Sequence, residues 1–559
     1  MLKMRTRYLI GLLLLLSVAL QAQLNRGGTP WSFNLDAGTP LKVDIVLPPP
    51  DLAAVAAEDL LSPMPYRFAI NLPVNISFSL PGTDSDTRYY QTTLPSGDRI
   101  WLLTIQAPGA KAITVYFDRF NIPPGGRLFL YNSDKSKLLG AFTDLNNNST
   151  GLFSTALIPG DQVTLEYNQP ASASTMPDLY ISEIAYAYRG VPELKDRTGF
   201  GDSGPCEVNI ACEEGDFWQD QQKGVAMIGV KKLGSTFWCS GSLINNTRQD
   251  KTPYFLTADH CGKGTKPSDF NQWIFYFNYN SPTCADPSIE PGFRSMTGAE
   301  VKSTAGDVFV GGSDFLLLVL NQTVPDTFDV WFNGWNREDI SSPYGVGIHH
   351  PMGDIKKIST YTTPLVSDNW IPISQKTHWK VTWAETHNGH GVTEGGSSGS
   401  PLFDSEGRVV GTLTGGESSC DSGSLDSPDY YGKFSYSWDM NGTETAKRLD
   451  FWLDPDNTGV MVLDGIPLNI AEPEVRSPDL KLFPNPVSGI LHLNSTLLEN
   501  QGSIRIDLLD SWGRNVASFM RTLDNSGHLT VDLSSFPNGF YLISITSDEL
   551  SLTGRIIKL

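Results

Sequence analysis

One loop of the chain reads Gly395-Gly396-Ser397-Ser398-Gly399-Ser400-Pro401-Leu402-Phe403, with three serines in four positions between glycines and ahead of an apolar run. A serine hydroxyl attacks an acyl carbon only when a base removes its proton and a carboxylate orients that base. Backbone N–H groups must also receive the developing oxyanion. Two frames fit. In G-x-S-x-G, Ser397 would sit on a strand-to-helix elbow whose carboxylate and base follow it in the chain. In G-x-S-G-x-P, Ser398 would be the nucleophile, with base and carboxylate ahead of it. A third reading is a Gly/Ser turn without chemistry.

The histidines discriminate. They are His260, His349, His350, His378, His387, His390, His492 and His528. The first frame needs a base after Ser397, and only His492 and His528 follow it, both in a distinct C-terminal module. The second frame needs histidine, then aspartate, then serine. "YFLTADHCG" places His260 after an apolar strand and beside Cys261. "GGSDFLLLVLN" places Asp314 at the head of another apolar strand, where a buried carboxylate could receive an imidazole N–H. Ser398 then completes the order.

The elements that must position these groups are strands. The 559 residues suggest about three domains, and 52 glycines and 37 prolines with only 18% charged residues favour short strands and many turns. A formal charge of -20 argues against a nucleic-acid partner. Six cysteines, at 206, 212, 239, 261, 284 and 420, mark a central oxidised domain without a C-x-x-C metal pair. Lys3, Arg5 and Arg7 precede an apolar run from Tyr8 to Leu20. Small residues follow, the pattern of a secretory signal over residues 1–22 cut near Ala22-Gln23. Residues 23–200 lack cysteine and alternate like strands, as at Ile113, Val115 and Phe117. They read as a β-rich propeptide, or else as an N-terminal binding domain that stays attached. A polar boundary lies between Lys195 and Phe200, and 467–479 form a Pro-containing linker.

Residues 201–466 resemble the lysyl endopeptidases, bacterial members of the chymotrypsin-like serine proteases. The resemblance runs through "GPCEVNIACEEGD", "CSGSLINNT", "YFLTADHCG", "SDFLLLVLN", "GIHHP", "VTEGGSSGSPLF" and "DYYGKFSYSW". It implies an all-β protein with a double β-barrel of two six-stranded antiparallel arrays. It also implies His260 as general base, Asp314 as its orienting carboxylate, Ser398 as nucleophile, and the N–H groups of Gly396 and Ser398 as the oxyanion hole. The family's pairing would join Cys206 to Cys420, Cys212 to Cys284 and Cys239 to Cys261. Trypsin's S1 carboxylate position holds Val392 here, and the family's own carboxylate falls on Asp429. Thr414, Gly415 and Gly416 would line the pocket. Some members carry a histidine in place of Thr414, stacked on a tryptophan that corresponds to Trp370. Trypsin also pairs its freed N-terminus with an aspartate before the nucleophile, a place taken here by Ser397.

Residues 480–559 resemble the sorting domain of type IX secretion cargo, through Asn485-Pro486, Asn538-Gly539-Phe540-Tyr541 and a terminal basic-apolar strand. An Ig-like β-sandwich is implied, as is export through both membranes of a Gram-negative bacterium to the medium or the cell surface by the type IX machinery. The alternative is a carbohydrate-binding sandwich. The combined expectation is a secreted, monomeric serine endopeptidase, made as a proenzyme. It would cut protein and peptide substrates after Lys, with no metal or cofactor. The alternatives are a preference for Arg or another P1 residue, or a catalytically silent adhesion protein. Removal of the propeptide is expected to begin by self-cleavage at Lys195. His349 and His350 are expected to be structural and Asp259 a solvated turn residue. His378, His387 and His390 receive no role.

Overall fold

The computed structural model describes residues 26–34, 44–62, 64–77, 89–173, 175–189, 200–306, 311–373, 375–421, 423–468, 480–498, 503–510, 515–522, 528–547 and 551–558. The signal-like segment, most of the linker and Lys195 lie outside them. The chain divides into two compact units, one through residue 468 and one from 469 onward.

In the first unit the strands around His260 and Asp314 form one array. Val225–Lys232 pairs with Ser235–Leu243, which pairs with Tyr254–Ala258, then Phe315–Leu320, then Ala299–Thr304. Ile274–Phe277 joins the other edge of Val225–Lys232 and pairs with Arg294–Thr297. Between Arg294–Thr297 and Ala299–Thr304 stands Gly298 at φ +89, and a Cβ there would meet the Asn321 amide at 2.4 Å. That glycine lets one long strand turn a corner and close six strands into a barrel.

The second array runs Lys357–Tyr361, Gly345–His349, Pro401–Phe403, Val409–Gly416, Asp429–Lys433 and His378–Val381, every neighbouring pair antiparallel. Each array has its own core. Ile228, Phe255, Trp273, Phe275 and Leu318 fill the first, and Trp379, Trp383, Leu402, Leu413 and Tyr431 the second. A third cluster joins Leu256, Phe315 and Leu317 to Val346, Ile348 and Phe403, so the arrays pack on each other through apolar side chains.

The N-terminal region is not a separate compact unit. Its strand Tyr66–Ser77 pairs with Ser235–Leu243, placing both regions in one twelve-stranded sheet. The helix Leu52–Leu61, capped by the Asp51 carboxylate on Ala53 and Ala54, leads into this strand. Ile113, Val115 and Phe117 alternate with Thr114 and Tyr116 along Ala112–Asn121, and residues 112 to 117 are buried on both faces. The polar face is turned toward the barrel, where the Tyr116 hydroxyl meets Thr236 Oγ1 at 2.8 Å.

The second unit pairs Lys481–Phe483, Ile490–Asn494 and His528–Asp532 in one sheet. Asn515–Thr522, Ser503–Asp510, Gly539–Thr546 and Ser551–Lys558 form another. Leu491, Leu493, Ile504, Ile506, Leu508, Ile543 and Ile545 alternate inward to form its core, as strands with one buried face must.

Candidate active site

His260 lies on the one-turn helix Asp259–Gly262 that directly follows Tyr254–Ala258. The disulfide from its neighbour Cys261 to Cys239 ties this turn to the adjacent strand. Asp314 is fully buried at the mouth of Phe315–Leu320, in a left-handed backbone conformation with φ +57. Its carboxylate accepts twice from one residue, the His260 backbone N–H at 3.0 Å and the ring Nδ1 at 2.7 Å. The Nδ1–H tautomer leaves Nε2 as the proton acceptor, and that atom is buried without a hydrogen-bond partner among the described residues.

Ser398 arrives from the second array. Its carbonyl accepts from the Ser240 N–H at 2.8 Å, and the Cys261 sulfur stands 3.8 Å from the same oxygen. Gly399 follows at φ +80, and a Cβ there would meet Thr257 Oγ1 at 2.1 Å and the Ala258 nitrogen at 2.6 Å. The serine loop therefore abuts the strand that delivers His260, and only glycine fits the contact. Ser240 Oγ also donates to the Gly396 carbonyl at 2.9 Å. Gly396 sits at φ +93. Among the described residues, no hydrogen-bond partner engages the N–H of Gly396 or of Ser398.

Asp429 is fully buried and opposite Gly416 in the strand register. Its Oδ2 accepts from Trp383 Nε1, Thr393 Oγ1 and Ser418 Oγ, each at 2.7 Å. Among the described residues, its Oδ1 accepts only the Ser418 N–H, at 3.3 Å. Burial pushes this carboxyl above its usual range, against the lowering effect of those donors. A Cβ on Gly416 would lie 2.0 Å from Oδ1, so the slot needs glycine there. Thr414 Oγ1 meets His378 Nε2 at 3.0 Å, and the His378 ring lies 6.2 Å from Trp370.

Several positions were missed or misjudged in the sequence. Asp259 is not solvated. It is 9% exposed, its carboxylate accepts the Thr304 hydroxyl, and burial raises its pKa. An aspartate beside histidine looks like a turn residue until the facing strand is known. His378 packs beside Thr414 and Trp370, although its strand carries no local signal for that place. Lys232 is nearly buried and donates to the His260 carbonyl at 2.8 Å. Burial draws its ammonium down to about 8, partly opposed by Asp259 and Asp314. His349 binds Ser397 Oγ and Ser359 Oγ, while His350 binds the Asp354 carbonyl, so the two point apart. The cysteines pair as 206–420, 212–284 and 239–261.

Two strand arrays carrying serine, histidine and aspartate on adjoining loops are the architecture of a chymotrypsin-like serine endopeptidase. Residues 200–432 match the family model "Lysyl endopeptidase, C-terminal domain", and residues 481–559 match "Secretion system C-terminal sorting domain". A lysyl endopeptidase of Pseudomonas aeruginosa PAO1 is 28% identical over 403 residues, covering 69% of this chain and 83% of its own length. Among solved structures, the serine protease AL20 from an extremophilic microorganism is 16% identical, over 38% of this chain and 92% of its own, with TM-score 0.27. Protease Anisep from Arthrobacter nicotinovorans is 20% identical, over 38% and 90%, also with TM-score 0.27. The chain is a serine endopeptidase whose central domain is similar to the lysyl endopeptidases. Its sorting tail directs it to the cell surface or the extracellular space.

Proposed function

We propose that the protein is a proenzyme whose processed form hydrolyses peptide bonds on the carboxyl side of Lys. His260 Nε2 takes the Ser398 proton as Oγ attacks the carbonyl, and Asp314 holds the resulting imidazolium in place. The N–H groups of Gly396 and Ser398 receive the oxyanion, and His260 returns the proton to the leaving amine. Water then repeats the sequence on the acyl-enzyme. The observation that carries this assignment is the double acceptance of His260 by a fully buried Asp314. It fixes the tautomer that leaves Nε2 free.

Asp429 fits a Lys ammonium as a point charge at the end of an apolar slot. A planar guanidinium demands more width and two matched acceptors. Oδ1, with a single long hydrogen bond among the described residues, is the oxygen with acceptor capacity left for such a ligand. Thr414, Gly415 and Gly416 supply the strand edge for an extended substrate.

The N-terminal region, up to a boundary before Gly201, supports the proenzyme reading by where it lies. Tyr66–Ser77 adds to the edge of Ser235–Leu243, and Phe68 stacks on Trp238 with ring centroids 4.0 Å apart. From there the chain crosses the site. A Cβ on Gly395 would meet the Tyr66 ring at 2.7 Å, and one on Gly415 would meet the Met64 methyl at 2.8 Å. Ser398 is 5% exposed under this cover. Met64 is followed by Pro65, and a peptide with Pro on the leaving side lacks the N–H of an ordinary substrate. Export through the type IX route and a monomeric state belong to the same proposal. The test is a panel of peptides differing only at P1, assayed with the processed enzyme. Cleavage after Lys at least ten times faster than after Arg is expected, and equal rates would overturn the Lys assignment.

A further inference from the structure

Gly201 donates its backbone N–H to Asp354 Oδ1 at 2.7 Å, and the Ser203 hydroxyl donates to Oδ2 at 2.5 Å. Asp354 is 2% exposed, on the turn between Gly345–His349 and Lys357–Tyr361. The other side of this turn holds the nucleophile loop. The Met352 N–H donates to the Gly395 carbonyl. A Cβ on Gly396 would lie 3.0 Å from the His350 carbonyl, 3.1 Å from the Met352 nitrogen and 3.2 Å from the Gly353 nitrogen. One turn thus connects the start of the protease domain to the loop assigned to the oxyanion.

Among the described residues, the surroundings of Asp354 are short of positive charge. Asp354, Glu207 and Glu394 interact with one another, and burial raises all three carboxyls above their usual range. The cation that opposes them is Lys357 in each case. Its Nζ stands 3.9 Å from Asp354, but also 3.2 Å from Asp286 and 2.9 Å from Asn209 Oδ1. A buried carboxylate without its own counter-charge is costly, and removing that deficit stabilises the arrangement around it.

We propose that hydrolysis of the Phe200–Gly201 bond creates the missing cation, and that the new Gly201 α-ammonium pairs with Asp354 to fix the 350–354 turn against Gly395 and Gly396. This rests on the proenzyme reading with its boundary before Gly201. One water is consumed. The C–N bond breaks, Phe200 keeps the carboxylate, and the Gly201 nitrogen gains protons to become the ammonium at pH 7. An N–H···O⁻ contact with a neutral donor becomes one with a cationic donor and two further N–H groups. A protease selective for Lys does not cut after Phe200, so an aminopeptidase or an endopeptidase with aromatic preference performs this step. Asp354 acts as a positioning residue through the turn. It supplies from another loop the anion that Ser397 cannot provide.

Phe200 sets the order of events. It is 4% exposed in a cavity of about 40 Å³ shared by Ala112, Leu157 and Pro159 of the N-terminal region with Met227, Trp238 and Tyr276 of the barrel. Departure of the N-terminal region removes one wall of this cavity and opens the bond to trimming.

The test uses the full chain with an exogenous endopeptidase sequence ending at residue 199 or at residue 200, so that cleavage leaves Phe200 or Gly201 first. The released fragment is separated, the N-terminus is confirmed by mass, and kcat and KM are measured on a lysyl peptide. The Phe200 form is expected to have kcat lower by about 100-fold, the scale of losing one buried charge partner, with KM within about threefold. Asp354→Asn in the Gly201 form is expected to lose a similar factor. Adding Phe200 to Asp354→Asn is expected to cost nothing more, since both changes break one pair. Equal kcat for the Phe200 and Gly201 forms would overturn the pairing alone. Full activity of the uncleaved chain would overturn the proenzyme reading and the pairing together.

Discussion

Asp314 holds His260 by two bonds, one to the backbone N–H at 3.0 Å and one to ring Nδ1 at 2.7 Å, from a position with no solvent exposure. A carboxylate so placed accepts both donors, whereas an amide of the same shape offers one acceptor and one donor. Asp314→Asn is expected to leave the fold intact and lower kcat by about 10⁴-fold, as the loss of the orienting carboxylate does in serine proteases generally. Steady-state kinetics with circular dichroism on the same sample check this. A loss under tenfold would remove Asp314 from the mechanism.

The buried Asp429 carries the second prediction. Asp429→Asn keeps most of the hydrogen bonds from Trp383, Thr393 and Ser418 but removes the charge. For lysyl peptides kcat/KM is expected to fall by about 100-fold or more, the scale of losing a buried charge partner. Peptides with an uncharged P1 are expected to lose much less. A uniform loss across P1 residues would show that Asp429 supports the fold and does not read the side chain.

If Met64 and Tyr66 cover the site, weakening their hold exposes it. Phe68→Ala removes a ring stacked on Trp238, and large-to-small changes of this kind cost about 3–5 kcal/mol where the ring is buried. The uncleaved Phe68→Ala chain, or a Met64→Gly, Tyr66→Ala chain, is expected to react with a fluorophosphonate at least tenfold faster than the uncleaved wild type. Unchanged labelling rates would place the block elsewhere.

His378 makes a prediction about pH. Burial lowers its pKa to about 4 from 6.5, with Lys433 adding and Asp314 opposing. Above pH 6.5 the ring is neutral folded or unfolded. As pH falls below 6.5 the unfolded chain takes a proton that the folded chain refuses. Stability is therefore lost down to about pH 4, by roughly 3 kcal/mol at the limit. His378→Gln removes this contribution, so its stability, followed by urea denaturation, is expected to fall less than that of the wild type between pH 7 and 4.5. Parallel pH profiles would contradict it.

The sequence made some of this legible and hid the rest for physical reasons. The order of His260, Asp314 and Ser398, each beside an apolar strand, favours the Ser398 frame over the Ser397 frame, because strand ends are where barrel loops place side chains. The alternation in 503–508 and 543–545 was likewise readable, since one face of each strand is buried. The neighbours supplied by distant strands were not readable. Trp383, Thr393 and Ser418 converge on the Asp429 carboxylate from separate segments, and the buried Asp259 accepts from Thr304 on a facing strand. The burial of Tyr116 on Ala112–Asn121 was not readable either, because the Thr236 that meets its hydroxyl lies on a distant barrel strand. No local pattern could have joined Gly201 to Asp354, 153 positions away.

One hydroxyl must form the covalent bond to substrate, and the loop offers three candidates in Ser397, Ser398 and Ser400. Ser397 Oγ is already engaged with His349 Nδ1 at 2.8 Å. The most direct test reacts the processed enzyme with a fluorophosphonate, digests it and locates the adduct by mass spectrometry. A single adduct on Ser398, absent from Ser398→Ala and from Asp314-intact protein unfolded before labelling, is the expected result. An adduct on Ser397 or Ser400, or none on an enzyme that still cuts peptides, would contradict the account.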